Sequence, residues 1–262
     1  GCQPDEIIFT SGGSEADNQA VLSAAKFGME HGKKHIITTA FEHHAILHTV
    51  EALRADGFEV TFLNVHSDGL VVPEEVKAAI RPDTCLVTVM YANNEVGTIQ
   101  PIFPIGQICR EAGVLFHTDA VQAVGHLPID VKLENIDMLS LSAHKFHGPK
   151  GIGALYVRRG IPLHPLIHGG AQERGKRAGT ENVSAIMGMA AALEEACDSM
   201  NRTSVYLTEL RERLIDGLSP IPSSMLNGSP LYRLPNNVNF SFAGIEGESL
   251  VLLLDKLGIC AS

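Results

Sequence analysis

Short apolar runs alternate with helix-patterned stretches along most of this chain, and that alternation constrains the fold more than any other feature. Ile7–Phe9, His35–Thr39, Phe58–Leu63, Thr84–Tyr91, Leu115–Thr118, Met138–Leu141 and Ala154–Val157 read as strands. Helices are expected from Ser14 to about Glu30, from the Phe41–Ala45 junction through Ala52, briefly from Pro73, and over Pro104–Ala112. Strand–helix alternation brings each strand back parallel to its predecessor. The pattern therefore predicts an α/β layered fold around a mainly parallel sheet. An alanine-rich helix is expected from about Ser184. The character shifts around Ser199–Arg202, and a further helix runs to about Leu218. Pro220, Pro222 and Gly228 then punctuate the chain before a strand at Asn237–Phe242 and a helix over Glu246–Leu257. A domain boundary is expected near residue 200.

With 262 residues, 45% of them hydrophobic, the chain can bury a large core. Its formal net charge of -10 argues against nucleic acid or an anionic membrane as main partner. The basic cluster Arg174, Lys176 and Arg177 is the local exception. No apolar run approaches the roughly 18 residues needed to cross a bilayer, and no signal peptide is visible in a chain that opens Gly1-Cys2. The five cysteines are odd in number, widely spaced and without a Cys-x-x-Cys pair. That fits a reducing, cytoplasmic setting without a disulfide framework or zinc site. The histidines show no His-Glu-x-x-His spacing, so no metal is expected.

Polar residues recur at the expected strand ends, where an open parallel sheet forms its ligand crevice. Thr10-Ser11-Gly12-Gly13-Ser14 follows the first strand. Two glycines before a helix start offer free N–H groups to an anion, although a plain strand-to-helix turn has the same composition. Ser14 with Asp17 reads as a capping-box-like start. His43 stands at the next junction, where it can stack on a planar ligand, shuttle a proton or face water. Asn93 and Asn94 are crevice amides or turn residues. Asp119 either stabilises a cationic ring nitrogen or caps the following helix. Ser142, His144 and Lys145 follow Met138–Leu141 and precede the glycine-rich run Gly148–Gly153. A lysine just beyond a buried strand is placed for desolvation, which makes the amine nucleophilic and able to hold an aldehyde cofactor as a Schiff base. An exposed loop lysine is the competing reading. The loop from Gly169 to Thr180 suits a phosphate, an acidic substrate or open solvent.

Six stretches together resemble the cysteine desulfurases of the NifS/IscS type, pyridoxal phosphate (PLP) enzymes of the class V aminotransferase family and fold type I. They are Phe9–Asn18, Glu42–Leu47, Met90–Gly97, His117–Gly125, Ser142–Lys145 with its glycine loop, and Glu173–Thr180. They stand in family order, at close to family spacing. The resemblance implies a three-layer PLP-dependent transferase large domain over residues 1–199 and a partial small α/β domain over residues 200–262. It implies Lys145 as the Schiff-base lysine and Asp119 as partner of the pyridinium nitrogen. His43 would stack on the ring and assist proton transfer, and Asn94 and Gln122 would bond its phenolic oxygen. Gly13, Ser14, Ser142 and His144 would hold the phosphate. Thr180 would reach the phosphate of a neighbouring subunit, which implies a homodimer. Ser14 stands where many relatives carry threonine, with the hydroxyl retained.

The implied reaction converts L-cysteine to L-alanine and a persulfide on a mobile-loop cysteine, for delivery to an iron–sulfur scaffold or another sulfur acceptor. The alternatives are a selenocysteine lyase or another PLP lyase of the same fold, against which the Glu173–Thr180 loop favours the desulfurase, and a catalytically incomplete PLP-binding fragment. In the family the catalytic cysteine falls a few residues beyond the position of Ser262. Cys260 accordingly reads as a strand residue, and Cys85, Cys109 and Cys197 as buried small hydrophobes. The chain is expected to be an internal piece that carries the PLP site and does not complete persulfide transfer alone.

Overall fold

The computed structural model describes residues 1–262. Strand β1 (Ile7–Thr10) leads into helix α1 (Gly13–Glu30), followed by β2 (His35–Thr39), α2 (His44–Ala55), β3 (Glu59–Leu63), α3 (Pro73–Ala79) and β4 (Thr84–Thr88). Next come α4 (Ile102–Ala112), β5 (Leu115–Asp119), β6 (Met138–Ser142), β7 (Gly153–Val157) and α5 (Val183–Leu218). The strands β8 (Ser224–Leu226) and β9 (Phe240–Phe242) and helix α6 (Gly247–Lys256) complete it.

Seven strands form one sheet in the order β1-β7-β6-β5-β4-β2-β3. The five from β3 to β6 pair in parallel. β7 is antiparallel to both β6 and β1. Two reversals leave β1 pointing the same way as β6, so β1 and the parallel strands all end on one edge. This is the mainly parallel α/β sheet that the alternation predicts.

Successive strand side chains face opposite sides. Ile36 packs under α1 and α2 with Ala20, Val21, Ile46 and Val50, whereas Ile37 enters the opposite layer with Ile105 and Phe116. Leu155 and Tyr156 divide in the same way. Every position of β2, β4, β6 and β7 is buried, as expected for a sheet covered on both faces. The polar members satisfy one another: His35 bonds Thr84 Oγ1 through Nδ1 and Thr61 Oγ1 through Nε2, each at 2.8 Å.

The structure departs from the sequence reading in several places. β4 ends at Thr88 rather than Tyr91, although Val89 and Tyr91 still donate to the His117 and Asp119 carbonyls. No change of helix occurs near residue 200: α5 runs unbroken for 36 residues. Ser199–Thr203 contains no glycine or proline to stop it, and Ser199 Oγ folds back onto the Glu195 carbonyl at 2.8 Å. The expected boundary thus lies inside a helix. Beyond it, β8 and β9 make a separate two-stranded sheet, and α6 has no buried residue. Cys197 is exposed on α5, where only Ala185 and Met189 are buried. Cys85 and Cys109 are buried as expected, and burial pushes their thiols up to about 11 and about 12. Cys260 is exposed and lies in no strand, since β8 and β9 pair only with each other. No helix is long and apolar enough to cross a membrane.

Candidate active site

The edge where the parallel strands end holds a polar cleft of about 210 Å³. Its twelve lining residues include Gly13, Ser14, His43, Asn94, Asp119, Gln122, Ser142, His144 and Lys145, nine of the ten sequence candidates. Asp17, Met90 and Val121 complete the lining. A larger, mainly apolar hollow of about 580 Å³ lies around Val71, Tyr91, Ile102 and Phe103 and contains none of the candidates.

Helix α1 opens onto the cleft uncapped. Its N-cap is Gly12, with no side-chain cap, so the first N–H groups have no intrahelical acceptor. Glu15 Oε2 accepts the Ser11 N–H at 2.7 Å and fixes the turn before the helix. The approach is close: a Cβ on Gly13 would meet Val121 Cγ2 at 2.7 Å. The capping-box expectation fails here. Ser14 lies inside the first turn, and Asp17 is buried at 1% exposure beneath the cleft.

His43 is the N-cap of α2, and its Nδ1 accepts the Ala45 N–H at 3.1 Å. The neutral ring therefore carries its proton on Nε2. The two asparagines after β4 divide their work. Asn93 is buried; its Oδ1 accepts the Glu95 and Val96 N–H groups, both at 2.9 Å, and its Nδ2 donates to the Phe41 carbonyl at 3.0 Å. Asn94 is left exposed at the cleft. Behind this loop sits Arg233, 3% exposed, donating to the carbonyls of Ser229, Val96 and Asn227 and to Asn237 Oδ1. No motif signals that arginine in the sequence.

Asp119 closes β5 and accepts the Val121 N–H at 2.9 Å. Burial pushes its carboxyl above the usual range, with His43 and Lys145 acting in the opposite direction. Lys145 stands in the 3-10 turn Ala143–Phe146 directly after β6. It is half-buried, so its desolvation is partial. Partial burial and the neighbouring Lys145 and Lys150 hold the His144 imidazole below its usual value.

A polar layer lies under the cleft. His117 is bonded through Nδ1 to Thr88 Oγ1 at 2.8 Å and through Nε2 to Ser140 Oγ at 3.0 Å. Burial pulls it down to about 3, so the ring is neutral. Asp17 Oδ1, 3.7 Å from its Nε2, makes no ion pair with it. Glu42 Oε1 accepts from Thr39 Oγ1 at 2.7 Å and from the Met90 N–H at 3.0 Å. Its other oxygen has no partner, and burial pushes the carboxyl up to about 8. Asp17, His43 and Asp119 each bring one donor atom within 4.8 Å of the others, a convergence that no sequence spacing announces. Burial favours the neutral acid at Asp17, which opposes a cation there.

Thr180 stands apart. It is exposed and lines a different hollow with Gly151, Ile152 and Asn182. The basic loop before it is tied to the fold. Arg177 grips Glu15 through two nitrogens at 2.9 and 3.3 Å, Arg174 donates to the Ile7 carbonyl at 2.8 Å, and Glu173 accepts the Phe9 N–H at 3.2 Å. Two of its three cations thus hold protein groups rather than a ligand. None of the five cysteines lines the cleft.

The whole chain, residues 1–262, matches the "Aminotransferase class-V" family. It is 56% identical over 262 residues to the "Cysteine desulfurase IscS" of Methanosarcina thermophila, covering all of this chain and 65% of that relative. It is 56% identical over 263 residues to the protein of that name from Clostridium botulinum, covering 99% of this chain and 66% of that relative. The chain thus spans about two-thirds of the length of these relatives. Among solved structures, one described as a "NIFS-LIKE PROTEIN" superposes with a TM-score of 0.95 at 42% identity, over 99% of this chain and 71% of that one. Another, described as "SspA in complex with cysteine", gives a TM-score of 0.83 at 42% identity, over 98% of this chain and 71% of that one.

Proposed function

Because the chain belongs to the class-V aminotransferase family, whose members use PLP, we propose that its cleft binds PLP through Lys145 and serves a cysteine desulfurase. The observation that carries this reading is the convergence of an amine, Lys145, and a buried carboxyl, Asp119, in one small polar cleft beside an uncapped helix start. The likeness to relatives described as cysteine desulfurases supports the substrate, L-cysteine.

When bound, PLP supplies a reactive aldehyde and an electron sink. The protein groups then take separate parts. Lys145, in the turn after β6, would supply the amine that holds the aldehyde. The free N–H groups of α1, with Ser14, Ser142 and His144, suit a phosphate, because the helix dipole and unpaired donors both favour an anion. Asp119 offers negative charge to a ring nitrogen. Asn94 and Gln122 offer amide N–H groups to a ring oxygen. His43 keeps Nδ1 engaged with its own helix, so its Nε2–H is the side available to exchange a proton in the cleft.

The sulfur of L-cysteine needs an acceptor thiol. Cys85 and Cys109 are buried, and no cysteine lines the cleft. On this reading the acceptor lies outside the cleft described here, and the chain alone transfers sulfur poorly. Thr180, exposed on its own hollow, suits contact with a second copy in a homodimer. An iron–sulfur scaffold or similar cytoplasmic acceptor would receive the sulfur.

The test is spectroscopic. Adding PLP to the purified chain is expected to produce a visible absorption band, and borohydride reduction with peptide mapping to place the label on Lys145. Lys145→Ala should lose both. A wild-type chain that takes no label at Lys145 refutes the reading. With L-cysteine added, the spectrum should change while alanine release stays near that of Lys145→Ala. Catalytic release well above that control refutes the incomplete sulfur transfer.

A further inference from the structure

We propose that Asp17 is a positioning residue: it keeps a proton at neutral pH and donates it to Asp119, so that the pair carries a single negative charge held under the cleft. The proposal deepens the PLP reading and rests on it for what that charge serves.

Asp17 and Asp119 are 1% and 5% exposed, and their carboxyl oxygens lie with a His43 nitrogen inside a 4.8 Å cluster. Two carboxylates so close and so buried do not both ionise. The surroundings decide which one keeps the proton. Besides Asp119, strand β5 offers Asp17 His117, whose two ring nitrogens are both engaged by hydroxyls. Strand β6 offers the Ser140 hydroxyl, and the start of α2 brings Glu42, a further acid. Asp17 Oδ1 has no hydrogen-bond partner at all. Asp119, by contrast, holds the Val121 N–H, and its position beside His43 and Lys145 favours its ionised form. The anion belongs on Asp119 and the proton on Asp17. A protonated carboxyl has one O–H to donate, and Asp119 is the charged acceptor in reach. The consequence is a carboxylate oriented from below, with no second charge to repel it.

Infrared spectroscopy of the cofactor-free 262-residue chain tests the proton directly. Wild type at neutral pH should show a protonated-carboxyl stretch that Asp17→Asn removes and Glu42→Gln, which deletes a separate buried acid, does not. Absence of any band that depends on Asp17 overturns the proposal. PLP affinity, read by absorbance titration, tests the positioning. Asparagine keeps an N–H donor, so Asp17→Asn should bind PLP within about twofold of wild type at neutral pH, whereas Asp17→Leu should bind about tenfold more weakly. Equal losses in Asn and Leu overturn the donor role. If wild type takes up no PLP, the PLP reading fails, and the infrared band still decides where the proton sits.

Discussion

Glu42 shows how far one buried residue reaches into the properties of the protein. Its carboxyl is ordinary at 4.5 when exposed and is pushed to about 8 in the fold. Between those values the folded state keeps a proton that the unfolded state has released. Stability therefore falls as pH rises from about 4.5 to about 8 and levels off beyond. At ~1.4 kcal/mol per pH unit the loss is on the order of a few kcal/mol. Glutamine keeps the carbonyl that accepts from Thr39 and Met90 and cannot ionise. Glu42→Gln should match wild type in urea unfolding at mildly acid pH and exceed it in alkali. An advantage of the same size at both pH values would mean that ionisation is not its cause. Glu42 and Asp17 fall inside stretches that the sequence singles out, yet their buried roles are not legible there. Lys145, Asp119, His43 and Asn94 follow apolar runs, so strand ends point to them. Asp17 lies three residues after Ser14, a spacing that reads equally as a helix start, and only the buried face of α1 turns it toward Asp119.

At the level of elements, the cleft depends on a loop with little structure of its own. Asn94 projects from the turn between Ala92 and Ile99, which pair by a single bridge, and Thr98 makes a second bridge to Arg233. Arg233 then gathers acceptors from both sides: Val96 within the loop, and Asn227, Ser229 and Asn237 in the later chain. It has no carboxylate partner among them. Arg233→Ala strands the buried Ser229 carbonyl and three partly buried acceptors, at an expected cost of about 2 kcal/mol in chemical denaturation. It should also weaken PLP uptake by releasing Asn94. Arg233→Lys should recover only part, since a point ammonium cannot span acceptors that a planar guanidinium reaches together. Unchanged stability and PLP affinity in Arg233→Ala would show that the loop is held by other means. The strands of the main sheet were legible because burial on both faces makes them continuous apolar runs. Helix α5 was misread because Asp198–Thr203 has the polarity of a linker. An exposed helix surface has the same polarity, and polarity alone does not separate the two.

Across the whole molecule, burial is unevenly spread, and local stability should follow it. The main sheet lies between two cores, and β4 and β6 have no exposed position. Helix α6 buries nothing and leaves Leu252 and Leu253 about 60% exposed. Apolar burial stabilises in proportion to the area removed from water, and the free energy of local opening scales with it. Residues 227–237 fall between these extremes, because Arg233 and the Leu234 N–H bond to the Gly97 carbonyl tie them to the loop after β4. Native-state hydrogen exchange should therefore resolve three classes: β4 to β6 slowest, 227–237 intermediate, and α6 fastest. Arg233→Ala should move the middle class into the fast one and leave β5 unchanged. PLP should slow exchange in the first turn of α1 and around Lys145 without protecting α6, because the cleft is built wholly from residues before 146. Protection of α6 equal to that of β5 would overturn this ordering. It would mean that α6 and the sheet open together, and that the surface left bare on α6 carries stabilising contacts of its own.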